Sequence, residues 1–291
     1  MMKTFLGSAF DKIFSAVKPC LKCIIEAIDP LYVTLYRRKY RFIKAIPPMH
    51  LRVRVGGSRW INEFMNVGLM CANNINEALF AFCEKRIDDY EKILDFGCGC
   101  GRILQYLYRD NSSKSIQFYG CDVDANAIRW MQANYSNNNF VVNLFEQPVP
   151  FDDSFFDLVY AYSVFTHLDE SMQFEWLQDI QRMLRPGGIA LLTIHGSKAV
   201  QMFIDGPHIS ESMREHLIKH KPISESGFIF EPYEDLSSDK RKYPGIGSMY
   251  GLTFHSHSYI KDHWSNVFEV RGIYSNEEDN FQEVVVLEKK K

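Results

Sequence analysis

Residues 93–104 read ILDFGCGCGRIL, and the fold turns on them. Ile93, Leu94 and Phe96 form a short apolar run with an acid, Asp95, inside it. Three glycines then alternate with Cys98 and Cys100, and Arg102 opens a second apolar run. A strand, a tight glycine turn and a helix start account for this order. Glycine is needed where the backbone takes positive φ or approaches a ligand closely. Two cysteines one residue apart suit neither a disulfide with each other nor half of a zinc site. The thiols therefore read as small side chains in a crowded turn.

Outward from this loop, apolar strands and amphipathic helices alternate. Strands are expected at 91–96, 115–124, 139–145, 155–165 and 189–196, and helices at 101–110, 125–135 and 171–184. That alternation predicts an α/β fold, a doubly wound Rossmann-like sheet of seven strands, mostly parallel. The stretches 267–274 and 281–290 are joined by SNEEDN, too short for a crossover helix, so they are expected to close the sheet as an antiparallel pair. Residues 197–263 form an insertion before that pair.

Open α/β sheets bind ligands outside the carboxyl ends of their strands, where the strand order reverses. The glycine loop holds that position, with a helix N-terminus behind it. A dinucleotide fingerprint wants glycine where Arg102 stands, and the absence of GK[ST] excludes a P-loop. The second strand ends in GCDVD, whose Asp122 can accept two ribose hydroxyls.

The chain resembles the class I S-adenosylmethionine-dependent methyltransferases in four segments: ILDFGCGCGR, YGCDVDANAI, PVPFDDSFFDLVYAYSVFTHL and RMLRPGGIALLT. These occupy residues 91–195 in the family's order. The resemblance implies S-adenosyl-L-methionine as cofactor, held by Asp95, Gly97, Cys98, Gly99, Gly101, Asp122, Val123, Phe145, Tyr162 and Ser163. It assigns Asp95 to the loop and the methionine amino group, and Asp122 to the ribose. Asp124 is expected to cap the next helix. The aspartate often found after the third strand is missing from NLFEQPVPF, leaving Asn143, Glu146 or the Phe145 main chain for the adenine.

His167 and His195 follow the fourth and fifth strands, where a catalytic base for a hydroxyl acceptor would stand. Each could equally cap or brace a turn. Tyr250 and His255 in the insertion, with Arg52 and Arg54 near the N-terminus, are the candidate acceptor contacts. His255 and His257 lack a third ligand, as does the CxxC of Cys20 and Cys23, so no metal is expected. A second resemblance lies in IPPMHLRVRVGGS, SVFTHL, TIHG and TFHSHSYI. These are similar to segments of bacterial methyltransferases associated with polysaccharide and glycan synthesis. It implies O-methylation of a sugar or glycan-precursor hydroxyl. The alternatives are N- or O-methylation of another small molecule or a protein, N-methylation of a nucleic acid, or a cofactor-binding module without catalysis.

The bulk composition is that of a soluble globular chain, with 46% hydrophobic residues, 24% charged and a formal net charge of -3. Seven scattered cysteines indicate free thiols in a reducing compartment, hence the cytoplasm. Charge is unevenly distributed. Residues 1–45 carry nine Lys/Arg against three Asp/Glu, while the remainder carries 24 against 33, so no nucleic-acid partner is expected. Phe10, Ile13, Val17, Leu21, Ile24 and Ile28 mark one face of a helix that Asp29-Pro30 is expected to stop. Residues 1–57 thus form a helical, basic extension, read as packed on the domain, as a peripheral contact with the inner face of a membrane, or as a nucleic-acid contact through its Arg/Tyr cluster. Residues 58–291 form the main domain, with Ser58 as expected cap of its first helix. Oligomeric state leaves no mark in the sequence.

Overall fold

The computed structural model describes residues 24, 27–41, 43–56, 59–110, 116–135, 139–145, 148–206, 209–220, 223, 227–233, 249–276 and 281–291. Cys20, Cys23, Ser58, Glu146 and most of the expected N-terminal helix lie outside them.

The first described helix, α1 (residues 27–39), runs through Asp29-Pro30 instead of ending there. Tertiary contacts override the local break. The Asp29 carboxylate accepts the Met49 N–H at 2.7 Å and an Arg52 guanidinium N–H at 2.6 Å. Tyr32, Val33, Tyr36 and Tyr40 pack against the main core. A short α2 (Met49–Arg52) leads to α3 (Ile61–Cys83), which starts after Trp60 with no side-chain cap. In α3, Ile61, Phe64, Met65, Gly68, Ala72, Ile75 and Leu79 are buried on one face. Each large apolar side chain so buried contributes roughly 1.5–3 kcal/mol. A Cβ at Gly68 would lie 2.3 Å from the Arg102 carbonyl oxygen, so this glycine lets α3 press on the turn after the glycine loop.

The sheet comprises β1 (Lys92–Phe96), β2 (Gln117–Asp122), β3 (Phe140–Val142), β4 (Phe156–Ala161), β5 (Leu184–Ile194), β8 (Glu269–Tyr274) and β9 (Glu283–Glu288). Their order is β3-β2-β1-β4-β5-β9-β8, and β9 alone runs against its neighbours. Between the parallel strands lie α4 (Leu104–Asp110), α5 (Ala125–Asn134) and α6 (Glu170–Met183). The two-residue period of the strands sends alternate side chains to opposite layers. Ile93, Leu158 and Tyr160 join the core under α3, α4 and α5; Leu94, Val159 and Ala161 join the one under α6. The expected seven strands and antiparallel closure are present, although β3 keeps only three of the seven residues expected.

The insertion carries α7 (Ser197–Asp205), α8 (Glu211–Lys219), β6 (Phe228–Pro232), β7 (Gly251–His255) and α9 (His257–His263). Strands β6 and β7 make a separate antiparallel pair, with a small apolar core against α7 and α8. The insertion is tied to the strand ends: the His255 N–H donates to the His195 carbonyl at 2.9 Å, and Leu168 bridges Tyr250. No helix among the described residues is long and apolar enough to cross a membrane.

Candidate active site

The strand order reverses between β1 and β4, so a crevice must open beyond their carboxyl ends. The glycine loop forms its floor. Gly97, Gly99 and Gly101 all have positive φ, at 79°, 50° and 76°. The Gly97 and Cys98 N–H groups donate to the Cys121 carbonyl at 2.8 and 3.0 Å, fastening the loop to the end of β2. Asp122 completes the attachment: one carboxylate oxygen accepts the Gly99 N–H at 2.7 Å, the other the Asp124 N–H at 2.7 Å. Asp124 caps α5 by accepting the Asn126 N–H at 2.9 Å, as expected. Its other carboxylate oxygen takes Arg54 at 2.8 Å, which holds the N-terminal segment over the loop. Cys98 and Cys100 are buried free thiols, and burial pushes Cys100 up to about 12.

A cavity of about 570 Å³ fills the crevice. Asp95, Gly97, Cys98, Gly99, Asp122 and Val123 reach it from β1 and β2. Phe145, Tyr162 and Ser163 reach it from beyond β3 and β4, and Arg54, His167, His195 and Tyr250 also line it. Thirteen of the sixteen candidate cofactor, catalytic and acceptor residues therefore meet in one place, with Asp124 and Asn143 beside them.

Three do not line it. Gly101 lies behind the loop, where a Cβ would meet the Met131 thioether at 2.8 Å. Arg52 is wholly buried, its guanidinium spent on Asp29, the Pro47 carbonyl and the Arg59 carbonyl, so it cannot meet an acceptor. His255 is wholly buried too, donating from Nε2 to Gln173 at 2.9 Å; Gln173 in turn donates to the Phe165 and Leu168 carbonyls. It braces the insertion against α6. Burial takes its imidazole down to about 3.

Several buried acceptors in the cavity lack a partner within the protein. Asp95 Oδ2 and Asn143 Oδ1 are two, and unsatisfied buried polar atoms are uncommon enough to require a reason. Burial raises Asp95 to about 8, with the nearby Asp122 charge adding to the rise; the Tyr160 hydroxyl and the Arg102 charge oppose it. Asp122 is also raised, by burial first. A cationic or N–H donor ligand would relieve both acceptors. Asn143 was one of three options for this place in the sequence; its amide oxygen is buried and open in the cavity, and Glu146 lies outside the described residues.

The opposite end, beyond β4 and β5, is built from histidines and rings. His195 donates from Nδ1 to the Thr253 carbonyl at 3.1 Å, which leaves Nε2 as a buried, unpartnered acceptor. Burial, then the neighbouring His167, takes it down to about 3. His167 places Nδ1 at 2.9 Å from the Gly251 carbonyl and 3.0 Å from the Tyr233 hydroxyl, and burial lowers it as well. The two imidazoles stand perpendicular with centroids 6.3 Å apart. Tyr250 stacks on His167 at 5.2 Å, and Phe203 and Phe281 edge His195 at 5.4 and 5.0 Å. Ser163 takes a left-handed φ of 61°, held by its N–H donating to Thr193 and by Gln282 donating to its hydroxyl. Strain of this kind collects at functional sites.

Phe203, Phe281, Gln282 and Arg102 were missed in the sequence. Phe281 and Gln282 follow an acidic turn and carry no local mark. Arg102 was read only as the residue that breaks a dinucleotide fingerprint. Among the described residues, no group of His, Cys, Asp or Glu is arranged to hold a metal ion.

A family model described as "Methyltransferase domain" matches residues 94–192. The tRNA N(3)-cytidine methyltransferase METTL2 of Gallus gallus is 30% identical over 113 residues, covering 36% of this chain and 30% of that protein. The tRNA N(3)-methylcytidine methyltransferase Mettl2 of Drosophila melanogaster is 27% identical over 111 residues, covering 36% and 34%. The chain thus spans about a third of the length of these relatives. A Pyrococcus horikoshii OT3 protein of known structure is 16% identical, covers 76% of this chain and 91% of its own, and superposes with a TM-score of 0.48. PKMT2 from Rickettsia typhi, in complex with AdoHcy, is 14% identical, covers 74% and 53%, and gives 0.44. The match to the methyltransferase-domain family model, residues 94–192, spans the strands that build the cavity, and the seven-stranded sheet with its single reversed strand encloses them.

Proposed function

We propose that the chain transfers a methyl group from S-adenosylmethionine to a hydroxyl of an uncharged, ring-bearing acceptor, a sugar or glycan precursor being the leading candidate. The observation that carries this reading is the uncharged acceptor end: two neutral imidazoles, one with a buried open Nε2, framed by Tyr250, Phe203 and Phe281. Sugar rings stack on aromatic faces, and a hydroxyl can donate to His195 Nε2. The lining cations, Arg54 and Arg102, stand on the side of the glycine loop.

The residues present fit the cofactor. Asp95 Oδ2 would accept from the methionine ammonium, Asp122 from the ribose hydroxyls, and Asn143 Oδ1 from the adenine amino group. Gly97 and Gly99 let the chain approach without side chains. When bound, the cofactor supplies a methyl group already activated on a sulfonium. What remains for the protein is to position the acceptor and exclude water. His195 holds its Nδ1 proton on the Thr253 carbonyl, so Nε2 faces the acceptor as a fixed lone pair. It would accept the hydroxyl hydrogen bond, aim an oxygen lone pair at the methyl carbon, and take the hydroxyl proton as the oxygen–carbon bond forms and the sulfur–methyl bond breaks, its electron pair staying on sulfur as a neutral thioether. His167, stacked under Tyr250, orients the ring beside it.

The relatives named for tRNA cytidine methylation support a second reading, an RNA acceptor. It ranks below the first because residues 46–291 carry 24 basic residues against 33 acidic ones, and polyanion binding draws on clustered positive charge. One experiment separates them: labelled S-adenosylmethionine is offered with nucleotide sugars, lipid-linked sugars, and total tRNA. Label on a sugar, lost in His195→Ala, supports the proposal; label on tRNA alone replaces it.

A further inference from the structure

Helix α1 has two apolar faces, and only one is used. Asp29, Tyr32, Val33, Tyr36 and Tyr40 turn inward onto the core and Arg52. Ile28, Leu31 and Leu35, spaced by three and four residues, occupy the other face and are 54%, 64% and 56% exposed. A surface helix ordinarily puts polar side chains there. Trp60 flanks the same helix at Tyr32. It is 59% exposed, and its ring lies 6.5 Å from Tyr32. Contiguous exposed apolar surface of this kind marks an interaction site.

The charge around the patch identifies the occupant. Arg38 continues the apolar row at the next three-residue step, Arg37 and Arg41 are exposed near it in the chain, and Arg59 is exposed next to Trp60. The one acid among residues 27–45, Asp29, is buried under Arg52 and offers no opposing charge outside. An apolar stripe ending in arginines, with a tryptophan at its border, matches the layered chemistry of an anionic lipid surface: acyl chains below, phosphates above. A soluble protein partner would supply the apolar half but gives no reason for the arginines and the tryptophan to stand together at its edge.

We infer that the outer face of α1, with Trp60, is a peripheral docking surface for an anionic membrane, lying flat in the headgroup layer and not spanning it. The inference does not depend on the acceptor.

The test is flotation of the full chain with vesicles of equimolar phosphatidylcholine and phosphatidylglycerol, against vesicles of phosphatidylcholine alone. The wild type should float with the anionic vesicles only. Binding should weaken as salt is raised toward about 1 M, where the Debye length falls to about 3 Å. Leu31→Glu with Leu35→Glu should weaken it by roughly tenfold or more, since two apolar anchors become charged. Both side chains are exposed, so the thermal unfolding midpoint of this variant should match the wild type; Arg38→Glu gives an independent loss through charge. Failure of the wild type to float, equal flotation with neutral vesicles, or flotation indifferent to the leucine pair would overturn the inference. So would wild-type self-association abolished by the leucine pair without vesicle binding, because the face would then belong to a second copy.

Discussion

Asp95 should couple cofactor binding to a proton. Its carboxyl is raised to about 8 in the free protein, chiefly by burial, so at pH 6–7 it is mostly neutral. Docking a methionine ammonium on Oδ2 requires the carboxylate, and the proton must leave. Below the raised pKa, the fraction of protein ready to bind grows with pH. From pH 6 to 7 the apparent Kd for S-adenosylmethionine should fall by about tenfold. The range stops there because an α-amino group begins to lose its own proton near 7.7–8.0, as an approximate reference. Calorimetry in buffers of different ionisation enthalpy should register close to one proton released per cofactor bound. Asp95→Asn should bind more weakly and show neither the pH slope nor the release. The stability sign is opposite. An acid whose folded pKa is raised favours the fold at low pH, and that contribution is lost as pH rises toward about 8. The unliganded Asn variant should therefore outlast the wild type in thermal unfolding at pH 8. A Kd flat between pH 6 and 7, or a slope that survives in Asp95→Asn, would refute the coupling.

Three further outcomes follow from the packing. Arg52→Ala leaves the Asp29 carboxylate buried without its counter-charge and should cost about 3–5 kcal/mol in denaturant unfolding; intact stability with a raised acceptor KM would restore Arg52 to the acceptor site. His195→Ala should lower turnover by roughly 10²–10⁴-fold with cofactor affinity unchanged. Since burial holds that imidazole near about 3, the wild-type turnover profile should show no histidine-like inflection between about pH 5 and 8. Gly99→Ala puts a Cβ 2.3 Å from Val55 Cγ1 at a φ of 50°, and should cost about 1–3 kcal/mol of stability together with cofactor binding; unchanged calorimetric affinity would mean the loop tolerates the displacement of the N-terminal segment.

The fold was largely legible because its signals are local. Apolar runs of strand length and the amphipathic period of α6 place the alternating elements, and glycines without neighbouring turn residues mark the loop. The site divides along the same line. Asp95, Gly99 and Asp122 sit at strand ends, where position in the chain and position in space coincide. Arg52 and Arg54 show where this fails. They stand two residues apart in the same basic segment, but the first ends a helical turn facing Asp29 and the second reaches Asp124. Nothing in RVR distinguishes them, because each partner comes from a distant element. His255 and Tyr250 divide similarly: β7 carries His255 inward to Gln173, while Tyr250, just before the strand, faces the cavity. Asp29-Pro30 was read as a stop because a proline disfavours the helical region for the residue before it, whereas contacts of Asp29 with Met49 and Arg52 hold the helix through it.

We propose that the loop at residues 97–101, with Asp122, seats S-adenosylmethionine. Calorimetric titration of the folded wild type and of Asp122→Ala with the cofactor and its demethylated product tests it most directly. Near-stoichiometric binding of both ligands to the wild type, with a large loss in the variant, is the predicted result. A folded wild type that binds neither would contradict the account at its base.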